Sequence, residues 1–148
     1  MMESTYNLRV EWGDCDPARI VFYPHYFRWF DKGTHRLFEQ AGAGMEQLLD
    51  THGGLLPIVD ARASFTTPSR WGDELEITSW ISEWKESSLM VSHRVLNSGQ
   101  PSAEGHELRV WVIPDSDQPD GLRSISIPQS LKSCFIRSNN TVEKLKSS

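Results

Sequence analysis

A carboxylate, a proline turn and a helix start stand close together in W-G-D-C-D-P-A-R-I-V-F-Y-P-H-Y-F-R-W-F-D, residues 12–31. Asp16 precedes Pro17, and Tyr23-Pro24 opens an aromatic-rich segment. The first N–H groups of a helix lack intrahelical acceptors and lie at the positive end of the macrodipole. A carboxylate beside such donors makes the two halves of an acyl-transfer site, a nucleophile or base and an oxyanion hole. The leaving group that suits this pair is a thiolate. With a pKa of about 8.5 for its conjugate acid, a thiolate departs without the general acid that an amine or alkoxide needs. No G-x-S-x-G elbow is present, and a thioester does not require one. Asp16 either attacks the carbonyl to give a mixed anhydride or activates water directly, and the residues alone leave both routes open.

The same residues carry plainer readings. Asp16-Pro17 also fits an N-cap followed by proline at the first helical position. Asp14 reads as a turn or capping residue, and Asp31 as either a pocket acid or part of a solvated helix face. Cys15 reads as a small apolar residue rather than a thiol nucleophile. His25 and His35 lack the i, i+4 spacing of a helical metal pair. Cys15 and Cys134 are the only cysteines and stand in no metal-ligand spacing, so no metal site, cofactor or disulfide framework is expected. Phe27, Trp29 and Phe30 read as core, and Lys85 as a solvated hairpin cation.

The elements that must position Asp16 follow from periodicity. Tyr6, Leu8, Val10 and Trp12 alternate with polar residues and predict a half-buried strand. Gly13 to Pro17 is a turn, and Ile20 to Tyr23 is strand or irregular. Pro24 suits a first helical position, apolar residues recur from Phe27 to Ala41, and Gly42 to Gly44 ends the helix. So many large apolar side chains predict a helix wrapped by other structure. Gly33 in its middle costs roughly 1 kcal/mol against alanine, which close packing on a sheet explains. A short second helix is expected over Met45 to Asp50. The period then changes to two, with strands expected at Pro57–Thr67, Asp73–Trp84, Ser87–Asn97, Glu104–Ile113 and Leu122–Ile127. One strand, one long helix and a run of antiparallel strands make an α+β domain with the helix against a single curved sheet.

A chain of 148 residues, 38% of them hydrophobic and 24% charged, is the size of one domain with a real core. Residues 1–137 are expected to form it, with 138–148 a polar, disordered tail. A net charge of -5 and the lack of any basic run or phosphate loop argue against a nucleic-acid partner. No apolar stretch is long enough to span a membrane and the N-terminus carries no signal-peptide pattern, so the cytoplasm is the default compartment.

That element order, with G-D-C-D-P-A-R-I-V-F-Y-P-H-Y-F-R-W-F-D before and into the helix, resembles the 4-hydroxybenzoyl-CoA thioesterase family of hot-dog proteins, in its Asp-nucleophile branch. P-I-V at Pro57–Val59, A-S-F at Ala63–Phe65, G-D-E-L at Gly72–Leu75 and E-W at Glu83–Trp84 extend the likeness over roughly residues 6–131. The resemblance implies a curved antiparallel sheet wrapped around one central helix, in homodimers or homotetramers with active sites between subunits. It implies an acyl-CoA thioesterase in which Asp16 is the catalytic carboxylate, the Tyr23 N–H polarises the thioester carbonyl and Asp31 lies near the acyl pocket. Four departures stand out. Arg19 replaces a usual glycine, and Lys85-Glu86-Ser87-Ser88 replaces a basic cluster that meets CoA phosphates. Leu56 replaces a hydroxyl residue, and no aromatic residue stands near Met45. The implied substrate is a hydroxybenzoyl-type aromatic acyl-CoA, with Met45, Leu56 and Lys85 as further contacts. The alternatives are a short- or medium-chain aliphatic acyl-CoA and a non-catalytic acyl-CoA binding protein.

Overall fold

A computed structural model of the chain describes residues 1–136. In order it contains β1 (Glu3–Arg9), α1 (Pro24–Gln40), α2 (Leu48–His52), β2 (Ile58–Phe65), β3 (Glu74–Trp84), β4 (Ser88–Asn97), β5 (Gln100–Val110), β6 (Val112–Pro114) and β7 (Leu122–Ser124). Short 3-10 turns cover Trp12–Asp14 and Met45–Gln47, and residues 129–136 form a last helix, α3. Five strands make one antiparallel sheet in the order β1-β3-β4-β5-β2, with β6 and β7 a separate ribbon. The α+β hot-dog arrangement is therefore present, with α1 laid across one face of the sheet. Tyr26, Phe30, Gly33, Thr34, Leu37 and Phe38 form its buried stripe. The helix is covered on that side only, because Arg28, Lys32 and Arg36 remain exposed.

Register explains what α1 meets. Ser79 of β3 pairs with His93 of β4, which pairs with Gly105 of β5. At this row the helix comes closest to the sheet. A Cβ on Gly33 would collide with Ser79 Oγ, and one on Gly105 would collide with the Arg62 carbonyl and the Phe30 ring. Alternation then carries Glu107 and Arg109 inward on β5, where they are 1% and 4% exposed.

These residues form a polar belt beneath α1. Ser79 Oγ lies 2.7 Å from His93 Nδ1, and the His93 ring stacks on Phe30 at 4.6 Å between centroids. His93 Nε2 is 3.4 Å from Glu107 Oε1, which also accepts the Thr34 hydroxyl and faces Arg109 Nη2 at 3.2 Å. Arg109 Nη2 donates to Asp31 Oδ1 at 2.7 Å, and Arg109 Nη1 to the Leu56 carbonyl at 3.0 Å. The belt divides the apolar core. On one side Val10, Val21, Tyr26, Phe30 and Ile77 pack together, and on the other Leu37, Phe38, Leu48, Leu56, Leu89 and Leu131.

Burial alone would raise the Glu107 pKa, but the neighbouring imidazole, the Arg109 charge and the Thr34 hydroxyl outweigh it and hold the carboxyl below its usual value. A folded-state pKa below the unfolded one, near 4.3 for glutamate, stabilises the fold above that pH. The contribution is lost as pH falls through the folded value. Acid titration followed by circular dichroism should therefore show wild-type stability declining below about pH 4.3. A Glu107→Gln variant, less stable at neutral pH, should decline less over the same range.

Several element limits differ from the periodicity reading. β1 stops at Arg9, so Trp12 lies in a 3-10 turn and is 73% exposed instead of continuing the buried face. The strand expected over Glu104–Ile113 begins earlier and breaks at Trp111, whose side chain is 1% exposed. Leu122–Ile127 shortens to Leu122–Ser124. Helix α3 has no counterpart in the strand assignment; it follows Pro128 and buries Leu131 and Phe135 in the core. The expected tail lies outside the described residues.

Candidate active site

Asp16 occupies a tight turn built by its own backbone. The Arg19 N–H donates to the Asp16 carbonyl at 2.8 Å, and the Asp16 N–H donates to the Ile20 carbonyl at 2.9 Å. One carboxylate oxygen, Oδ1, accepts the Ala18 N–H at 2.8 Å, an Asx-turn that fixes the side chain. Oδ2 has no protein partner among the described residues. Asp16 is half-buried on the wall of a cavity of about 830 Å³, shared with Trp12, Cys15, Arg19, Arg70 and Trp71. Cys15 bridges to Val21 across the turn, and its Sγ faces the Glu11 carbonyl at 3.8 Å.

Tyr23 stands immediately before α1 with helical backbone angles. Its N–H has no acceptor among the described residues, whereas the His25 N–H donates to the Phe22 carbonyl at 3.0 Å. Pro24 has no N–H, so Tyr23 presents the first free donor of the helix. Tyr23 lines a smaller cavity of about 280 Å³ with Ile20, Tyr26 and Phe65.

The other expected site residues fall elsewhere. Met45 and Leu56 line a third cavity, about 320 Å³, with His35, Leu48, Leu55 and Val112. Asp31 reaches toward it through the Asp31 Oδ2–His35 Nε2 pair at 3.7 Å and is also half-exposed. Asp31 is thus both a helix-surface acid and a member of the buried belt. Lys85 pairs with Glu83 at 3.8 Å in the β3–β4 hairpin. Eleven-residue β3, roughly 35 Å long at ~3.3 Å per residue, separates it from the end of the sheet where Arg70 and Trp71 flank Asp16.

The family model of the thioesterase-like superfamily matches residues 10–135. The chain belongs to the thioesterase-like superfamily. It is 33% identical over 131 residues to 4-hydroxybenzoyl-CoA thioesterase of Pseudomonas sp. strain CBS-3, covering 84% of this chain and 91% of that one. The crystal structure of that enzyme superposes with a TM-score of 0.80 at 32% identity, over 89% of this chain and 98% of the other. A gentisyl-coenzyme A thioesterase superposes with a TM-score of 0.75 at 33% identity, over 89% and 99% of the two chains. A 1,4-dihydroxy-2-naphthoyl-CoA hydrolase from Synechococcus sp. strain WH7803 is 24% identical over 131 residues, 84% of this chain and 82% of its own.

Within this thioesterase-like protein, sequence reasoning missed Arg109. A single buried guanidinium joins Asp31 to the Leu56 carbonyl, two positions 25 residues apart by number, and so ties the helix to the wall of the third cavity. In H-E-L-R-V the only local signal is that Glu107 and Arg109 share one strand parity, and the apolar Leu108 and Val110 point to the opposite face as the inward one. No helix among the described residues is long and apolar enough to cross a membrane.

Proposed function

We propose that this thioesterase-like protein hydrolyses an aromatic acyl-CoA of the hydroxybenzoyl type to the free acid and CoA. The observation that carries the reading is Asp16 itself, pinned through one oxygen and free at the other on the wall of a cavity of about 830 Å³. Asp16 Oδ2 attacks the thioester carbonyl, the carbon–sulfur bond breaks with its electron pair leaving on the thiolate, and water hydrolyses the resulting mixed anhydride. The alternative route uses the same oxygen to take a proton from an attacking water. The unpaired Tyr23 N–H supplies the oxyanion donor, a contribution typically worth about 3 kcal/mol.

Met45 and Leu56 line the acyl pocket, with Asp31 at its rim as the acceptor for a phenolic hydroxyl. On one chain this pocket is separate from the Asp16 cavity, which supports a site completed between subunits. The outer edge of β2 is unpaired in one protomer, and Ile58, Val59 and Phe65 are 42%, 58% and 51% exposed on it. Pairing along this edge would cover both the free backbone groups and those side chains. We therefore assign a homodimer or homotetramer, with Lys85 meeting CoA only from another protomer, and the cytoplasm as its compartment.

The lining of the third cavity is mostly aliphatic, which favours a second reading, a short- or medium-chain acyl-CoA. A panel of 4-hydroxybenzoyl-, benzoyl-, butyryl- and hexanoyl-CoA, compared by kcat/KM, separates the two. The 4-hydroxybenzoyl ester should lead by at least tenfold, about 1.4 kcal/mol. A clear aliphatic preference would transfer the assignment to the second reading. Sedimentation of the same preparation at micromolar concentration should show no stable monomer.

A further inference from the structure

The carboxylate at the rim of the third cavity is held from the interior of the protein. Asp31 Oδ1 accepts Arg109 Nη2 at 2.7 Å, and Arg109, 4% exposed, is itself anchored on the Leu56 carbonyl and on Glu107. A guanidinium fixed in this way leaves the Asp31 side chain little freedom, although the carboxylate is half-exposed. Its second oxygen, Oδ2, faces Nε2 of His35, one helical turn further on, at 3.7 Å. Of the two residues, His35 is the one that lines the cavity. The walls there are aliphatic, Leu48, Leu55 and Leu122 among them, and the imidazole shares the lining with one other ionisable residue, the exposed Glu46.

A separation of 3.7 Å is too long for a direct hydrogen bond, which spans about 2.7–3.2 Å between nitrogen and oxygen. Neither Asp31 Oδ2 nor the imidazole has a hydrogen-bond partner among the described residues. The spacing suits one small polar group between them. An atom about 2.8 Å from both must donate to the carboxylate and accept from the imidazole N–H. A hydroxyl does both. A ring hydrogen does neither, and a halogen or an ether oxygen has no proton to donate.

We infer that Asp31 and His35 grip a ring hydroxyl of the acyl group from two sides, which makes His35 a specificity-determining residue for hydroxylated over plain aromatic esters. This rests on the aromatic acyl-CoA reading above and adds a donor to the acceptor assigned there to Asp31. Aliphatic walls receive a ring face and an alkyl chain alike, so discrimination falls to the clamp. A site built to hydrogen-bond a substrate hydroxyl rejects the analogue that lacks it, because its own polar groups are then left unpaired.

The test compares His35→Leu with His35→Gln. The side chain is 41% exposed, so both variants should unfold at the wild-type temperature. Wild type should favour 4-hydroxybenzoyl-CoA over benzoyl-CoA in kcat/KM by about tenfold or more, the usual worth of one hydrogen bond. In His35→Leu that ratio should fall below about threefold. In His35→Gln the amide N–H replaces the lost donor, and most of the ratio should return. A wild type that ignores the hydroxyl, a leucine variant with the wild-type ratio, or equal losses in both variants would overturn the inference. Calorimetric titration with thioether analogues, in which a methylene separates the sulfur from the carbonyl, is independent of turnover. Wild type should bind the hydroxylated analogue about tenfold more tightly than the plain one, and His35→Leu should bind the two alike. If the analogues show no such dependence while the esters are hydrolysed, the clamp fails and the hydrolase reading stands. If they show it and neither ester is turned over, the hydrolase reading fails and the clamp stands.

Discussion

Asp16→Asn should lower kcat by at least 10²–10⁴-fold, the span usual for loss of a general base, and by more if the carboxylate is the nucleophile. The amide keeps the oxygen that accepts the Ala18 N–H, so the turn should survive and KM should change little. A variant that loses kcat while retaining KM has lost an interaction made only in the transition state. Release of free thiol from 4-hydroxybenzoyl-CoA, followed with a thiol-reactive chromophore, measures it directly. Rates within tenfold of wild type would remove Asp16 from the chemistry. Rapid quench in ¹⁸O-water then separates the two routes. Attack by the carboxylate accumulates an acyl group on Asp16 as the anhydride, and water that opens it at the aspartyl carbonyl carries ¹⁸O into the side chain, whereas base catalysis leaves neither mark.

The second large effect concerns the fold. Arg109→Met should destabilise the protein by about 3–5 kcal/mol, the usual result of removing one partner from a buried ion pair. The loss follows from position. Arg109 neutralises Glu107 beneath α1 and also holds Asp31 and the Leu56 carbonyl, so its removal leaves a carboxylate buried without its cation. Urea unfolding monitored by tryptophan fluorescence gives the difference. An Arg109→Met/Glu107→Leu double variant should recover much of the loss, because replacing both members of a buried pair with apolar groups is often close to neutral. A single variant within 1 kcal/mol of wild type, below even the usual cost of one broken buried contact, would show that the belt contributes little.

Most of the architecture was legible because its signals are local. Pro24 and the glycines after Ala41 bracket α1 within a residue or two, and the long two-residue periods of β3 and β4 mark their strands. The Asp16 turn was legible from D-P alone. What the sequence hid is tertiary. In H-E-L-R-V the apolar Leu108 and Val110 suggest an inward face, yet Glu107 and Arg109 are the buried pair. Their partners, Thr34, Asp31 and Leu56, lie 53 to 78 residues away, beyond any local pattern. Trp12 misled for a related reason. Its parity continues β1, but Trp12–Asp14 turns as a 3-10 segment in which Asp14 accepts the Glu11 N–H, and the indole swings out to the cavity. Helix α3 was missed because its few apolar positions, Leu131 and Phe135, make too short a period to register.

The ionic belt has one more effect on how this molecule can change. Because charged and hydrogen-bonded groups cross the interior between α1 and the sheet, the two oily compartments share few neighbours. One supports the loop that holds Asp16 and the start of the helix through Val21 and Tyr26. The other, through Leu48 and Leu56, shapes the aliphatic pocket. Substitutions in separate compartments should combine almost additively. Selection could therefore remodel the half that shapes the aliphatic pocket while the half that carries Asp16 keeps its geometry.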